Sequence, residues 1–425
     1  MSGTLRTELR TIDPRAIERL ELEMARARKR GYTVEVGTSD DEAYQSPQHI
    51  YDAYHYLRQR DEQLSAKQKA YIASHREPLS EREFDRLLEP ERIALLYGPI
   101  NATPWHNQRG HAAALLSIVA AHQLATRAER QQKRYPTMSG PLDERVLSYH
   151  FDARAGQLDG MSIAEALVWA KTKYGLRDEI TAHEQAQADL HELTSYLTAP
   201  PSKQFTEIVR YCVDALGIRA RKDQVHEAIR GHILARDDCK TREFLLMSFG
   251  CGTAYPMLEV VADLKQQAVD ARLILLDQDP LALAAAALLA DDMGLGDKIE
   301  IHCERLFSRI GRPLKLETIL RGRQLDIAED SGLREYLPWF IYRWLTGESW
   351  RALREGGLMT TGNMNVNRPQ AEFPHGLMGW LPHIRMRTIE RGLWLHRLAG
   401  IPKRRTRVRV TPDGVYTLYF TTKSA

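Results

Sequence analysis

The chain has 425 residues with a formal net charge of +3, 43% hydrophobic and 27% charged side chains. This is the composition of a soluble globular protein long enough for two domains. It gives no argument for nucleic acid as a partner, and no run approaches the roughly 18 apolar residues of a membrane helix.

The opening MSGTLRTELRTIDPR is polar where a secretory signal carries an apolar run, which predicts a cytoplasmic protein. Cys212, Cys239, Cys251 and Cys303 have no CxxC spacing, so neither a disulfide framework nor a zinc site is expected, and no His, Cys and acid cluster has metal-ligand spacing.

Helical periodicity predicts helices over 14–30, 47–63, 81–88, 106–134, 163–174 and 181–197, several opening with Ser, Asp or Pro. Pro200 and Pro201 break the pattern, which places a boundary near residue 200: a helical lid or substrate domain over 1–200 and a second domain over 201–425. Two further helices are expected at 205–216 and 223–235. Within the first half, the stretch from Tyr97 to His111 crowds aromatic, imidazole, amide and guanidinium groups into a turn. His106 there is a candidate general base of a lid over an acceptor pocket, its commoner alternative being a surface or packing histidine.

From Glu243 the texture changes to apolar runs alternating with helical segments: FLLMS, a helix over 254–268, ARLILLD, a helix over 280–293, and KIEIHC. That alternation predicts an α/β fold with a parallel sheet and crossover helices. The basic run Lys403–Arg409 alternates with Thr406, Val408 and Val410 in its second half, as the exposed face of a strand does.

The strand at Phe244 runs into Gly250-Cys251-Gly252 and then a helix, a turn whose missing side chains let a ligand lie against the backbone. Asp277 tips the next strand, where an acid accepts hydrogen bonds from ribose hydroxyls. A dinucleotide and S-adenosylmethionine (SAM) both fit this pattern. The third glycine of the dinucleotide motif is absent, with Pro256 and Met257 in that region.

The run LMSFGCGTAYPMLE resembles motif I of class I SAM methyltransferases, and LILLDQDPLALAAA resembles their motif II. The wording is similar to that of bacterial enzymes making 3-hydroxy fatty acid methyl esters, with further matches at Ser331–Leu337, Leu353–Leu358 and Gly362-Asn363. The resemblance covers residues 240–425. It implies a Rossmann-like class I SAM-binding sheet with SAM as cofactor, and the helical periodicity of residues 1–200 places an N-terminal all-helical domain before it. Ser248, Phe249, Gly250 and Gly252 would line its methionine and sulfonium portion, Asp277 would hold the ribose, Gln278 would flank the adenine, and Glu304 would lie near the adenine amino group. Two departures stand out: Ser248 where many members carry an acid, and Ala254 where a third glycine is common.

Methyl transfer is an in-line displacement that asks the protein mainly to align the acceptor and take a proton. In open α/β sheets the site lies beyond the carboxyl ends of the strands. That points to the loop holding Glu329, Asp330, Ser331 and Tyr336. Asp330 is the leading candidate for a contact to the SAM amino group or the acceptor, its alternative being a helix N-cap. Asn363 would orient an acceptor carbonyl or hydroxyl, or else serve as a left-handed turn residue. Among Tyr97, Trp105, Tyr255, Trp339 and Trp380, Tyr255 is the candidate for an aromatic face to the sulfonium.

The functional expectation is therefore a SAM-dependent methyltransferase acting on a small-molecule or acyl carboxylate or hydroxyl. The alternative is cleavage of the aminocarboxypropyl bond with release of methylthioadenosine. A SAM-sensing scaffold is the non-enzymatic alternative. A small molecule is the expected partner, or none if SAM is the sole substrate, and a homodimer is left open.

Overall fold

The computed structural model describes residues 3–39, 47–62, 211–252, 254–278, 283, 286–287, 290–291, 293–307, 312–370 and 385–423. The helices expected between residues 81 and 197, the break at 198–202, and His106 lie outside the described residues.

Two helices lead the chain, α1 (Thr7–Ile12) and α2 (Pro14–Lys29), followed by strand β1 (Thr33–Val36) and helix α3 (Pro47–Glu62). The start of α2 is fixed by Asp13, whose carboxylate accepts from Ala16 N at 3.0 Å, and by Pro14 in the first turn, where no backbone donor is lost. Its apolar stripe of Ile17, Leu20 and Met24 is buried.

The chain resumes in α4 (Val213–Leu234), one continuous helix where two were expected, at 205–216 and 223–235. Gly217, a residue that weakens a helical reading, sits inside it. A Cβ there would fall 2.5 Å from Val415 Cβ, so the glycine is required for α4 to approach the hairpin that closes the sheet.

The α/β alternation follows: β2 (Phe244–Phe249), α5 (Tyr255–Gln266), β3 (Ala271–Asp277), β4 (Ile299–Cys303), α6 (Leu316–Leu320), β5 (Leu325–Asp330), α7 (Trp339–Ala352), β6 (Leu353–Met364), α8 (Ile389–Leu398), β7 (Thr406–Val410) and β8 (Tyr416–Thr422). Between β3 and β4 the described Leu283, Ala286, Ala287 and Ala290 are helical and buried. The eight strands form one sheet in the order β1-β7-β8-β6-β5-β2-β3-β4. All neighbours are parallel except β8, which runs antiparallel to both β6 and β7. This is the Rossmann-like α/β architecture that the resemblance implies. β2 is buried at every position because helices cover both faces, which is why FLLMSF reads as a run and not an alternation.

The amino-terminal segment is not all-helical and not separate from this sheet. β1 pairs with β7 from Thr33↔Arg407 to Val36↔Val410 and buries Val34 and Val36. It also covers the edge that β7 would otherwise leave open. Buried Glu23 on α2 then ties the segment down: it accepts from Ile389 N at 3.1 Å, from Asn365 Nδ2 at 3.2 Å and from Asn367 Nδ2. Burial pushes its carboxyl above the usual value.

The basic run resolves into a short 3-10 turn at Lys403–Arg405 and strand β7. Arg407 is 49% exposed beside Glu35, and Arg409 pairs with Glu35 at 2.8 Å and Glu227 at 3.0 Å. It is a solvated, partly paired strand face.

Candidate functional site

Strand order reverses at β2, which has β3 on one side and β5 on the other, so a crevice opens beyond the carboxyl ends of β2 and β5. The glycine turn lies there. Gly250 at φ +57° and Gly252 at φ +55° take left-handed conformations open to glycine, and Ala254 adopts φ +56° as well, at about 1–2 kcal/mol. Gly250 N and Cys251 N both donate to Leu276 O, at 2.8 and 3.2 Å, which holds the turn against β3.

Asp277 closes it. Its Oδ2 accepts from Gly252 N at 2.9 Å, and its carbonyl accepts from Glu304 N at 2.9 Å, so the tips of β2, β3 and β4 are joined through one residue. Gln278 follows, exposed. A Cβ built on Gly252 meets nothing within 4 Å, whereas one on Gly250 would come 2.7 Å from Leu333 Cδ1. Gly250 is thus needed for the loop after β5 to pack, and Gly252 faces open space.

Ser248 lies on β2 directly opposite Glu329 of β5. Its hydroxyl donates to Glu329 Oε2 at 2.6 Å, while Ser331 N and Ser331 Oγ donate to Oε1 at 2.7 and 2.5 Å. Glu329 is 7% exposed and has no salt bridge among the described residues. A carboxylate therefore stands beside the glycine turn, brought by β5 to the place where the sequence shows only a serine.

Phe249 does not line this space with its ring. It is 1% exposed and packs with Leu276, Leu316 and Ile319 on the other side of the sheet, because alternation along β2 turns it away from Ser248. Tyr255 opens α5; the expected aromatic contact of its side chain lies outside what is described.

The structure also corrects the expectation for Asp330. Its carboxylate forms a buried bidentate pair with Arg334, Nε to Oδ1 and Nη2 to Oδ2 both at 2.5 Å, with the two side chains 1% and 0% exposed. Arg334 is further held by Thr346 and lies 4.6 Å over the Tyr342 ring. Asp330 faces Arg334 and caps no helix, since the 3-10 turn Arg334–Tyr336 has Leu333 at its cap without a side-chain bond.

Asn363 is likewise internal. It sits within β6 opposite Thr417, so it is no left-handed turn residue. Its Nδ2 donates to Met364 O at 2.7 Å and Arg385 O at 3.2 Å, and its Oδ1 accepts from Arg387 Nη1 at 2.5 Å. Arg387 in turn donates to the carbonyls of Arg334 and Leu337. Asn363 and Arg387 clamp the loop after β5 and leave no amide for an acceptor.

A second polar group at the same sheet edge was not singled out from the sequence. α4 crosses the sheet so that His232, near its end, meets Gly356 O at 2.8 Å, while Arg221 stacks 4.6 Å over Tyr416, the partner of Met364 at the carboxyl end of β6. Arg221 Nη1 lies 3.7 Å from Glu335 Oε1. Burial drives the Glu335 carboxyl up to about 7, opposed by Arg221, by a hydrogen bond from Tyr416, and by Arg368 and Arg387. Tyr336, half-buried next to it, has its phenol raised well above 10 by burial and then by Glu335, so it stays protonated at neutral pH and is suited to donate a hydrogen bond rather than to act as a base.

No protein-family model matches the chain, and no curated protein matches it in sequence. The chain is similar to several solved structures at low identity. One described as a possible exported protein from Bordetella parapertussis is 17% identical, over 74% of this chain and 97% of that one, with a TM-score of 0.42. An O-methyltransferase family protein from Burkholderia thailandensis is 14% identical over 71% and 98%, with a TM-score of 0.38. A magnesium protoporphyrin IX methyltransferase from Synechocystis with bound SAM is 12% identical over 50% and 84%, with a TM-score of 0.35. The fold of this chain is defined by its own strand order and register, and no activity passes to it from these likenesses.

Proposed function

We propose that the protein is a SAM-dependent enzyme transferring a methyl group to a small-molecule or acyl carboxylate or hydroxyl acceptor. The observation that carries this reading is the glycine turn: Gly252 N is fixed by the Asp277 carboxylate at 2.9 Å while the space before Gly252 is open. SAM supplies a carbon already activated by its sulfonium. The chain's residues supply a backbone surface at Gly252, a ribose acceptor in Asp277, and exposed Gln278 with Glu304 at the adenine end. Glu329, held by Ser248 and Ser331, would take the methionine ammonium and fill the role left by the acid missing from position 248. A buried carboxylate without a paired cation among the described residues is suited to a cationic ligand group.

The same Glu329 supports a second reading. An ammonium held firmly beside the turn also positions the aminocarboxypropyl carbons, whose displacement releases methylthioadenosine. Incubating the purified protein with SAM and panels of alcohols, phenols and carboxylates, then resolving the nucleosides by chromatography, separates the two. S-adenosylhomocysteine (SAH) formed only with an acceptor is the expected result. Methylthioadenosine formed from SAM alone would overturn methyl transfer in favour of the second reading.

A further inference from the structure

The loop after β5 links the glycine turn to the Arg221 and Glu335 pair. Leu333 covers Gly250, and Gly332 lies so close beneath Arg221 that a Cβ there would be 3.1 Å from Nη1. Glu335 Oε1 is buried with no hydrogen-bond partner, an expensive condition for a carboxylate oxygen unless a ligand completes it. Arg221 is aligned by stacking on Tyr416, and none of its donors has a hydrogen-bond acceptor among the described residues. Its side chain is 21% exposed and that of Glu335 is 2%, so a ligand meets the guanidinium first.

The 3.7 Å between Arg221 Nη1 and Glu335 Oε1 is too long for a hydrogen bond and right for a shared oxygen. One oxygen placed about 2.8 Å from each atom closes the triangle. We propose that Arg221 and Glu335 form the acceptor subsite for a neutral alcohol or phenol, whose hydroxyl oxygen accepts from Arg221 while its O–H donates to Glu335. This rests on the SAM-dependent reading and narrows its acceptor, since an ionised carboxylate would meet Glu335 as a like charge. The proton balance is simple. The acceptor O–H bond breaks, its proton goes to Glu335 and the freed oxygen is the nucleophile; in methyl transfer the O–C bond forms as the C–S bond breaks, and Glu335 later returns the proton to solvent.

A carboxyl that titrates at about 7 is matched to that task near neutral pH. The groups that set it are Arg221 on α4, Tyr416 on β8, Arg368 after β6, Arg387 before α8 and Tyr336 beside it, with Glu329 facing Arg221 and Asp214 facing Tyr416.

The test uses 4-nitrophenol, whose absorbance reports its ionisation, titrated into the full-length protein loaded with SAH, with SAH affinity measured separately by calorimetry. Bound probe is expected to show the phenolate band at a pH where the free probe is mostly neutral. Glu335→Gln should bind SAH as the wild type does and leave the bound probe protonated. Arg221→Met should bind the probe about tenfold more weakly. An unchanged phenolate band in Glu335→Gln, no binding of the probe to SAH-loaded protein, or tighter binding of 4-nitrobenzoate would overturn the subsite. Failure of the wild type to bind SAH would overturn the parent reading, and this one with it.

Discussion

Replacing Asp277 by alanine is expected to weaken SAM binding about a hundredfold, on the order of 3 kcal/mol, while the protein stays folded. Two losses combine. The carboxylate that accepts from Gly252 N disappears, releasing the turn that joins β2 to β3, and the acceptor assigned to the ribose hydroxyls goes with it. The cost to stability is about 1 kcal/mol, because the turn keeps the bonds from Gly250 N and Cys251 N to Leu276 O. Gln266→Ala, exposed at the far end of α5, serves as the control and should change affinity little. Calorimetric titration of SAM into both variants checks this, and equal affinity in Asp277→Ala and wild type would remove Asp277 from the site.

The largest effect on stability is expected at Arg334. Arg334→Met strands Asp330 as a buried charge without its bidentate partner and should destabilise the fold by about 3–5 kcal/mol in urea denaturation. Asp330→Asn/Arg334→Met should recover part of that loss, since no buried charge is then unpaired. Asp330→Asn alone should retain wild-type SAM affinity, because the carboxylate faces the arginine and not the ligand space. A loss below about 1 kcal/mol in Arg334→Met would show that the pair does not carry the loop.

Asp330 illustrates where the sequence is silent. An acid at the end of β5 is well placed for a ligand, yet the decisive partner stands four residues later, and nothing in the segment AEDSGLREY tells a buried Asp and Arg pair from two solvated charges. The same strand carries the residue that does face the turn. Alternation puts Glu329 and Asp330 on opposite faces, but only the register Ser248↔Glu329 reveals which face meets the glycine turn.

Local features were legible because their causes are local. FLLMSF and the LILL of ARLILLD read as continuous apolar runs since both strands are covered on both faces, and Gly250, Gly252 and Asp277 announce a turn and an acid-tipped strand within one β-α-β unit. Arg221 and Glu335 meet only because α4 packs along β6 and β8, a juxtaposition with no sequence signature. β1 was hidden for a related reason: TVEV is β-branched but only four residues long, and the edge of β7 that it pairs with lies far along the chain. Gly217, just past the expected helix over 205–216, lets α4 come close to Val415.

The central claim is that the crevice beside Gly252 and Asp277 is a SAM site. Calorimetric titration of SAM into the wild-type protein, with SAH as competitor and NAD as comparison, addresses it most directly. One saturable site per chain in the micromolar range, displaced by SAH and indifferent to NAD, is the predicted result; NAD binding in place of SAM, or no heat with either SAM or SAH, would contradict it.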